Sequence, residues 1–270
     1  MAETAPPPTA ELLGLRLHGE GLDDAALEAW FADEQEGYAD LAGDLSGESG
    51  GGEVNRFHAF RHLGDRLFGC CLALGAASGR EYAALEGRVA RFVAVEPGRR
   101  FWRPTIAGAP AEYRAPTLRG TLDLPDGSCD LAGSFGVLHH IPNVAEVLGE
   151  LARALEPGGM LLIREPISSL GDFRRPRPGL TRNERGIPPK LMDRMLAEAG
   201  FVVRARSFAD FPGSDAIARR LGVADPWNRG WFVRFDHLVS SLMAWNARYW
   251  RPRFADKLAP RVCYWVAERL

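Results

Sequence analysis

No Cys-x-x-Cys pair occurs in this sequence, and its four cysteines (Cys70, Cys71, Cys129 and Cys263) show no metal-ligand spacing. Three of them lie in apolar runs, so buried free thiols in a reducing compartment are expected rather than a disulfide framework. Charge of one sign is lacking as well. The 33 Lys and Arg residues against 35 Asp and Glu give a net charge of -2, which supplies no general electrostatic reason to bind nucleic acid. No apolar stretch approaches the ~20 residues needed to span a bilayer. Residues 1–9 carry three prolines and no apolar run behind a basic start, so they read as a disordered tail rather than a signal peptide. A cytoplasmic location is expected. The one Gly-x-Ser-x-Gly match, Gly47 to Gly51, lies in a Gly-rich stretch and not after an apolar strand, and no Gly-x-x-x-x-Gly-Lys-Ser/Thr loop is present, which disfavours an α/β-hydrolase or a P-loop enzyme. No internal repeat is apparent.

What is present is an ordinary globular composition, 46% hydrophobic and 25% charged, in a chain of 270 residues, long enough to bury a large core. Residues 70–80 organise it. Cys70 to Leu74 form a short continuous apolar run, the pattern of a strand buried on both faces. The Gly, Ala and Ser residues from Gly75 to Gly79 form a tight turn, and Arg80 to Leu85 reads as a helix. Such a turn lets a ligand approach bare backbone at a helix N-terminus, although packing alone can also require one.

Strands and helices then alternate. Strands are predicted over 91–96, near 111–116, and over 130–138, 160–164 and 201–208, with helices over 144–155 (Asn143 as N-cap) and 188–199. Apolar residues at helical spacing predict a helix over 22–39, and a further helix is expected over 53–66, where Asn55, His58, Arg61 and His62 sit among apolar residues. This rhythm argues for an α/β fold, a doubly wound, mostly parallel sheet. Its expected divisions are 1–52 (tail, helix and Gly-rich linker at 43–52), a core at 53–208, an aromatic-rich insert at 209–258, and a terminal strand within 259–270.

In such a sheet ligands sit beyond the carboxyl ends of the strands. Glu96 ends the second strand, close to the ~20-residue spacing at which a carboxylate accepts from ribose hydroxyls. The 130–138 strand runs into His139-His140. As adjacent residues leaving a strand, the two are expected to point to opposite faces, one of them in a structural role. Glu165 ends the next strand beside them, and a His with a nearby carboxylate makes a general base near neutral pH. No metal site is expected, since no third and fourth ligand appear at familiar spacing.

Five stretches occur in order: Leu72-Ala-Leu-Gly-Ala-Ala-Ser-Gly79, Val93-Ala-Val-Glu-Pro97, Leu124-Pro-Asp-Gly-Ser-Cys-Asp130, Val137-Leu-His-His-Ile-Pro142 and Arg153-Ala-Leu-Glu-Pro-Gly-Gly159. Together they resemble the class I S-adenosylmethionine-dependent methyltransferases, in the small-molecule and ubiquinone-biosynthesis-like branch, over about residues 68–208. Arg164 to Arg174 and Gly179 to Pro188 further resemble a bacterial subgroup associated with surface-glycan and specialised-metabolite clusters. The resemblance implies a Rossmann-like sheet of seven strands, completed by an antiparallel strand at 261–268, and S-adenosyl-L-methionine as cofactor. Gly75, Ala77 and Gly79 would line its methionine moiety, Glu96 would hold the ribose, and Leu122, Asp123 and Leu124 would flank the adenine. Phe135 and Leu138 would wall the cofactor.

The implied reaction is methylation of a small-molecule or glycan acceptor, with O-methylation aided by His139 or His140 and oriented by Glu165, and with the aromatic insert and N-terminal helices covering the pocket. The family usually has Gly where Ala77 stands, which narrows the turn and disfavours φ > 0 there. That departure favours an alternative, a cofactor-binding protein that transfers no methyl. A nicotinamide-dependent dehydrogenase is weakened by the missing Gly-x-Gly-x-x-Gly pattern. Exposed aromatics between 227 and 250 suit a homodimer interface as well as a lid.

Overall fold

The computed structural model describes residues 9–41 and 52–270. The expected tail at 1–9 and linker at 43–52 therefore fall almost wholly outside the described residues. The strands are β1 (Cys71–Leu74), β2 (Phe92–Val95), β3 (Thr105–Ile106), β4 (Ala109–Arg114), β5 (Cys129–Phe135), β6 (Leu155–Pro166), β7 (Phe201–Ala209) and β8 (Val262–Arg269). They form one sheet in the order β3-β4-β2-β1-β5-β6-β8-β7. The pairs among β4, β2, β1, β5 and β6 are parallel, whereas β8 runs antiparallel to both β6 and β7. The doubly wound sheet and its antiparallel terminal strand are as expected. The sheet has eight strands rather than seven because two residues, Thr105 and Ile106, fold back on β4.

Every residue of β1 and β2 is buried, as their continuous apolar runs require. Alternation along the strands divides the core in two. Leu72, Leu74, Val93, Val95, Ile163 and Trp265 face α3 (Val144–Ala154) and α4 (Pro189–Glu198). Cys71, Ala73, Phe92, Phe135, Leu162 and Tyr264 face the opposite way. There they meet residues of α2 (Gly52–His58), of a 3-10 turn at Arg80–Leu85, and of α6 (Gly230–Leu242). Between α4 and α6 lies the short α5 (Ser214–Arg220), and α1 (Asp24–Leu41) precedes the sheet.

Three local differences have physical causes. Arg80–Leu85 is a 3-10 turn rather than an α-helix, because Glu81 is tied to Arg164 and the Tyr82 hydroxyl to the carbonyl of Gly133 at 2.7 Å. The helix expected over 53–66 ends at His58, where Ala59 leaves helical geometry and a 3-10 turn follows at Phe60–Leu63. Asn143 precedes α3 but does not cap it with its side chain, whose amide reaches back to the carbonyl of Arg119 at 2.9 Å. In the aromatic segment, buried Asp236 on α6 accepts from the backbone N–H groups of Asp210 and Phe211 and from the Ser214 hydroxyl, tying the helix to the end of β7. Phe232 and Tyr249 are buried, while Trp231, Phe235, Leu238 and Leu242 are exposed along α6.

Candidate active site

The turn after β1 is left-handed at three positions, Gly75 (φ 59°), Ala77 (φ 41°) and Gly79 (φ 79°). A Cβ on Gly75 would lie 2.4 Å from Val137, so the turns after β1 and β5 meet there, and one on Gly79 would lie 2.5 Å from Ile106. Ala77 takes its strained conformation with both backbone groups held. Its N–H donates to Glu96 Oε2 at 2.9 Å, and its carbonyl accepts from the Tyr113 hydroxyl at 2.8 Å. The expected barrier to φ > 0 at Ala77 is thus overcome by local hydrogen bonds.

Glu96, just beyond β2, is buried, and its other oxygen accepts from the Gly98 N–H at 2.8 Å. Burial raises its carboxyl above the ordinary value, against the opposing pull of those two N–H donors and of Arg100. Each oxygen carries one backbone donor and keeps a second acceptor site. On the next part of the rim, Leu122, Asp123 and Leu124 line a cleft of about 390 Å³ together with Val93, Val95 and Arg114. Arg153 on α3 shapes this segment by donating to the carbonyls of Leu122 and Leu124, both at 2.7 Å.

Phe135 and Leu138, expected to wall one cofactor, go to different cores. Phe135 packs edge-on against Phe60 and Tyr82, whereas Leu138 is fully buried among the residues on the α3 face. The strand ends at Phe135, and the 3-10 turn at Leu138–His140 that follows carries Leu138 to the other face of the sheet.

That turn also overturns the expected divergence of the histidines. The rings of His139 and His140 lie side by side, 4.1 Å between centroids. His139 Nδ1 is 2.7 Å from Glu165 Oε2, and Glu165 also accepts from the backbone N–H groups of Val137 (3.0 Å), Leu138 (2.8 Å) and His139 (3.3 Å). Glu165 is fully buried. Desolvation pushes its carboxyl up, but the facing His139 and the backbone donors outweigh this and hold it below the ordinary range. His140 Nδ1 lies 2.7 Å from Glu34 Oε2 of α1, and Trp30 of the same helix donates to the His140 carbonyl at 2.8 Å. Glu184 completes the group, its Oε1 3.6 Å from His139 Nε2.

Sequence reasoning missed Glu34, Glu184 and Arg185. Arg185 is fully buried and donates to the carbonyls of Leu138 (3.1 Å), His139 (2.7 Å) and Ile141 (2.8 Å), clamping the histidine turn. The available signal was an Arg flanked by Glu and Gly in the 179–188 stretch. On the other face of β6, Arg164 pairs with Glu81 at 3.0 Å and reaches Asn55 Oδ1 at 3.3 Å, which also accepts from the Tyr264 hydroxyl at 2.8 Å.

Residues 72–163 match the family model described as "Methyltransferase domain". That stretch, about a third of the chain, is similar to a methyltransferase domain. Among curated proteins, the chain is 31% identical over 135 residues to a "Probable S-adenosylmethionine-dependent methyltransferase" of Mycolicibacterium smegmatis, covering 48% of this chain and 51% of that protein. It is 48% identical over 46 residues to an uncharacterized 37.1 kDa protein in transposon TN4556 of Streptomyces fradiae, covering 17% of this chain and 13% of that one. The match thus spans about half the length of one curated relative and less of the other. Among solved structures, the Burkholderia thailandensis 1,6-didemethyltoxoflavin-N1-methyltransferase, with bound 1,6-didemethyltoxoflavin and S-adenosylhomocysteine, superposes with a TM-score of 0.55 at 16% identity, covering 92% of this chain and 91% of that one.

The Rossmann-like fold expected from the five ordered motifs is shared with this solved neighbour, and the expected methyltransferase family agrees with the domain match over residues 72–163. The matched residues contain Gly75, Ala77, Gly79 and Glu96 as well as the histidine turn. No helix among the described residues is long and apolar enough to cross a membrane.

Proposed function

We propose that the methyltransferase domain transfers a methyl group from S-adenosylmethionine to an oxygen of a small-molecule or glycan acceptor. The observation that carries the reading is the joining of the left-handed turn to Glu96 by the Ala77 N–H, with the His139–Glu165 pair at a nearby strand end. The residues fit the cofactor. Buried Glu96 keeps one acceptor site on each oxygen for a vicinal diol, Leu122 and Leu124 offer apolar surface in the neighbouring cleft, and Gly75 and Gly79 bring bare backbone to the turn. Bound there, the cofactor supplies an electrophilic methyl on a sulfonium.

The chain's own residues then orient and exclude water, which dominates an in-line displacement. His139 serves as the base for the acceptor hydroxyl. Glu165 holds the ring through Nδ1, and Nε2 is the nitrogen that takes the proton. The solved neighbour is an N1-methyltransferase acting on 1,6-didemethyltoxoflavin; a base beside the strand mouth favours a hydroxyl acceptor for this chain. The small-molecule branch, the cytoplasmic location, the use of residues 209–258 as an acceptor lid and a homodimer through the exposed α6 stripe belong to the same proposal. The alternative of binding without transfer rested on Ala77, and Ala77 takes the left-handed conformation despite its methyl group.

Titration with S-adenosylhomocysteine and with NAD tests the cofactor, and a mass-spectrometric screen for acceptors that gain one methyl in place of one hydrogen tests transfer. Binding of NAD without the homocysteine nucleoside would overturn the proposal. His139→Ala is expected to cut turnover while leaving cofactor affinity nearly intact.

A further inference from the structure

The histidine turn gathers more acidic groups than a single general base needs. Three carboxylates, those of Glu34, Glu165 and Glu184, converge on His139 and His140. Arg185, the buried cation beside them, spends its donors on the carbonyls of His18, Leu138, His139 and Ile141. Glu34 also accepts from the Thr181 hydroxyl and the Asn183 N–H, and Glu165 from the backbone N–H groups of Val137 and Leu138. The cluster therefore concentrates negative charge around two imidazoles.

The orientation of those imidazoles is specific. Each points Nδ1 at a buried carboxylate at 2.7 Å, so in the neutral ring the proton belongs on Nδ1, facing the carboxylate, and Nε2 offers a lone pair. This is the outer arrangement that holds metal-ligating histidines: the ring N–H given to a carboxylate, the other nitrogen given to the ion. One ligand atom from each of His139, His140 and Glu184 lies within 4.8 Å of the others. Glu184 is itself held, its second oxygen accepting from the Thr181 N–H at 3.1 Å. Ligand bonds of about 2.0–2.1 Å would draw the three donors to roughly 3.3 Å apart, a change that small side-chain rotations supply.

We infer that His139, His140 and Glu184 form a site for a divalent first-row transition ion, zinc being the natural occupant. Two imidazoles and one carboxylate suit zinc or its neighbours, whereas magnesium and calcium prefer all-oxygen shells. Three protein ligands leave a position open, as in catalytic rather than structural zinc sites. The ligands come from the turn after β5 and from the loop before α4, and the carboxylates behind them from β6 and α1, so the ion would fasten these segments together.

The inference rests on the cluster's geometry and not on methyl transfer, although it bears on the same site: the ion and the acceptor proton compete for His139 Nε2, so zinc is expected to inhibit transfer that uses His139 as base. Equilibrium dialysis of the full chain with zinc, followed by elemental analysis, is expected to give one ion per chain. Cobalt in its place should show d–d absorption without a thiolate charge-transfer band. Glu184→Gln and His140→Gln should each weaken zinc binding by more than about a hundredfold, and Glu34→Gln, behind His140, by roughly 10–100-fold. Glu96→Gln should leave zinc binding unchanged. Circular dichroism checks that each variant is folded. Absence of zinc binding by the wild-type chain, a thiolate band with cobalt, or unchanged affinity in folded Glu184→Gln would overturn the inference. Binding of S-adenosylhomocysteine without zinc would defeat the metal site alone, and zinc binding without the nucleoside would defeat the cofactor reading alone.

Discussion

Arg164 and Glu165 are neighbours near the end of β6, and the pleat sends their side chains to opposite faces of the sheet. On the Arg164 side charge is matched. One guanidinium meets both oxygens of Glu81, and Asn55, Tyr264 and the carbonyl of Phe135 fill the remaining positions. On the Glu165 side no carboxylate is bridged by Arg185 or Arg177: three carboxylates face two imidazoles, and both nearby guanidiniums donate to carbonyls. A matched network of this kind secures the position of a turn. An anion-rich one can hold a proton or a metal ion, and that difference separates scaffold from chemistry at the end of one strand.

The largest effect should come from removing Glu165. Glu165→Ala strands three backbone N–H donors and the His139 ring in a fully buried place, and it should cost about 3–5 kcal/mol, read by urea unfolding. Arg164→Ala should cost less, about 1–3 kcal/mol, because the partner Glu81 side chain is 29% exposed and can turn to water. Equal losses would erase the distinction between the two sides. The sign with pH follows from the lowered carboxyl of Glu165. Its stabilisation is present above the ordinary carboxylate range and is lost as pH falls through that range toward its depressed value, so wild type and Glu165→Ala should converge in stability in acid.

How much of this contrast was legible in the sequence depends on how local each feature is. The β1 and β2 strands could be read because burial on both faces leaves an unbroken apolar run, and the turn and Glu96 could be read because they directly follow those strands. The histidines were misjudged because strand alternation was extended past Phe135 into what is a 3-10 turn. Glu34 and Glu184 were invisible because their partners are distant in sequence: Glu34 lies 106 residues from His140, and no periodicity marks a contact of that kind. Glu81 was read as part of an ordinary helix start, since its pairing with Arg164 depends on the sheet order.

A middle-sized effect should separate the cofactor end from both clusters. Glu96→Gln replaces an acceptor with a group whose amide end opposes the N–H of Ala77 or Gly98, and it should weaken S-adenosylhomocysteine binding by about 10–100-fold. Burial raises the Glu96 carboxyl, so it takes up a proton at higher pH than an ordinary glutamate. Ribose hydroxyls donate to the ionised form, so wild-type affinity should fall as pH is lowered through that raised value, while the Gln variant stays flat in calorimetry across the same range. In the unliganded protein the sign is opposite: a raised carboxyl contributes stability at low pH and loses it as pH rises. A flat wild-type profile would remove Glu96 from the ribose site.

The smallest effect belongs to Ala77, which lies between β1 and Glu96 and whose backbone is held by Glu96 and Tyr113. Its φ of 41° costs an alanine about 1–2 kcal/mol that glycine avoids. Glycine in turn releases about 0.4–1 kcal/mol more chain entropy on unfolding. Ala77→Gly should therefore change stability by less than about 1.5 kcal/mol, in the stabilising direction. Its N–H would still donate to Glu96, so S-adenosylhomocysteine affinity should be preserved or tightened, and zinc binding at His139, His140 and Glu184 should not move. A large loss of nucleoside affinity would mean that the methyl group of Ala77 supplies a contact to the cofactor, so that the turn binds through a side chain as well as through bare backbone. A change in zinc affinity would show that the turn after β1 and the histidine turn, which meet at Gly75 and Val137, move as one unit.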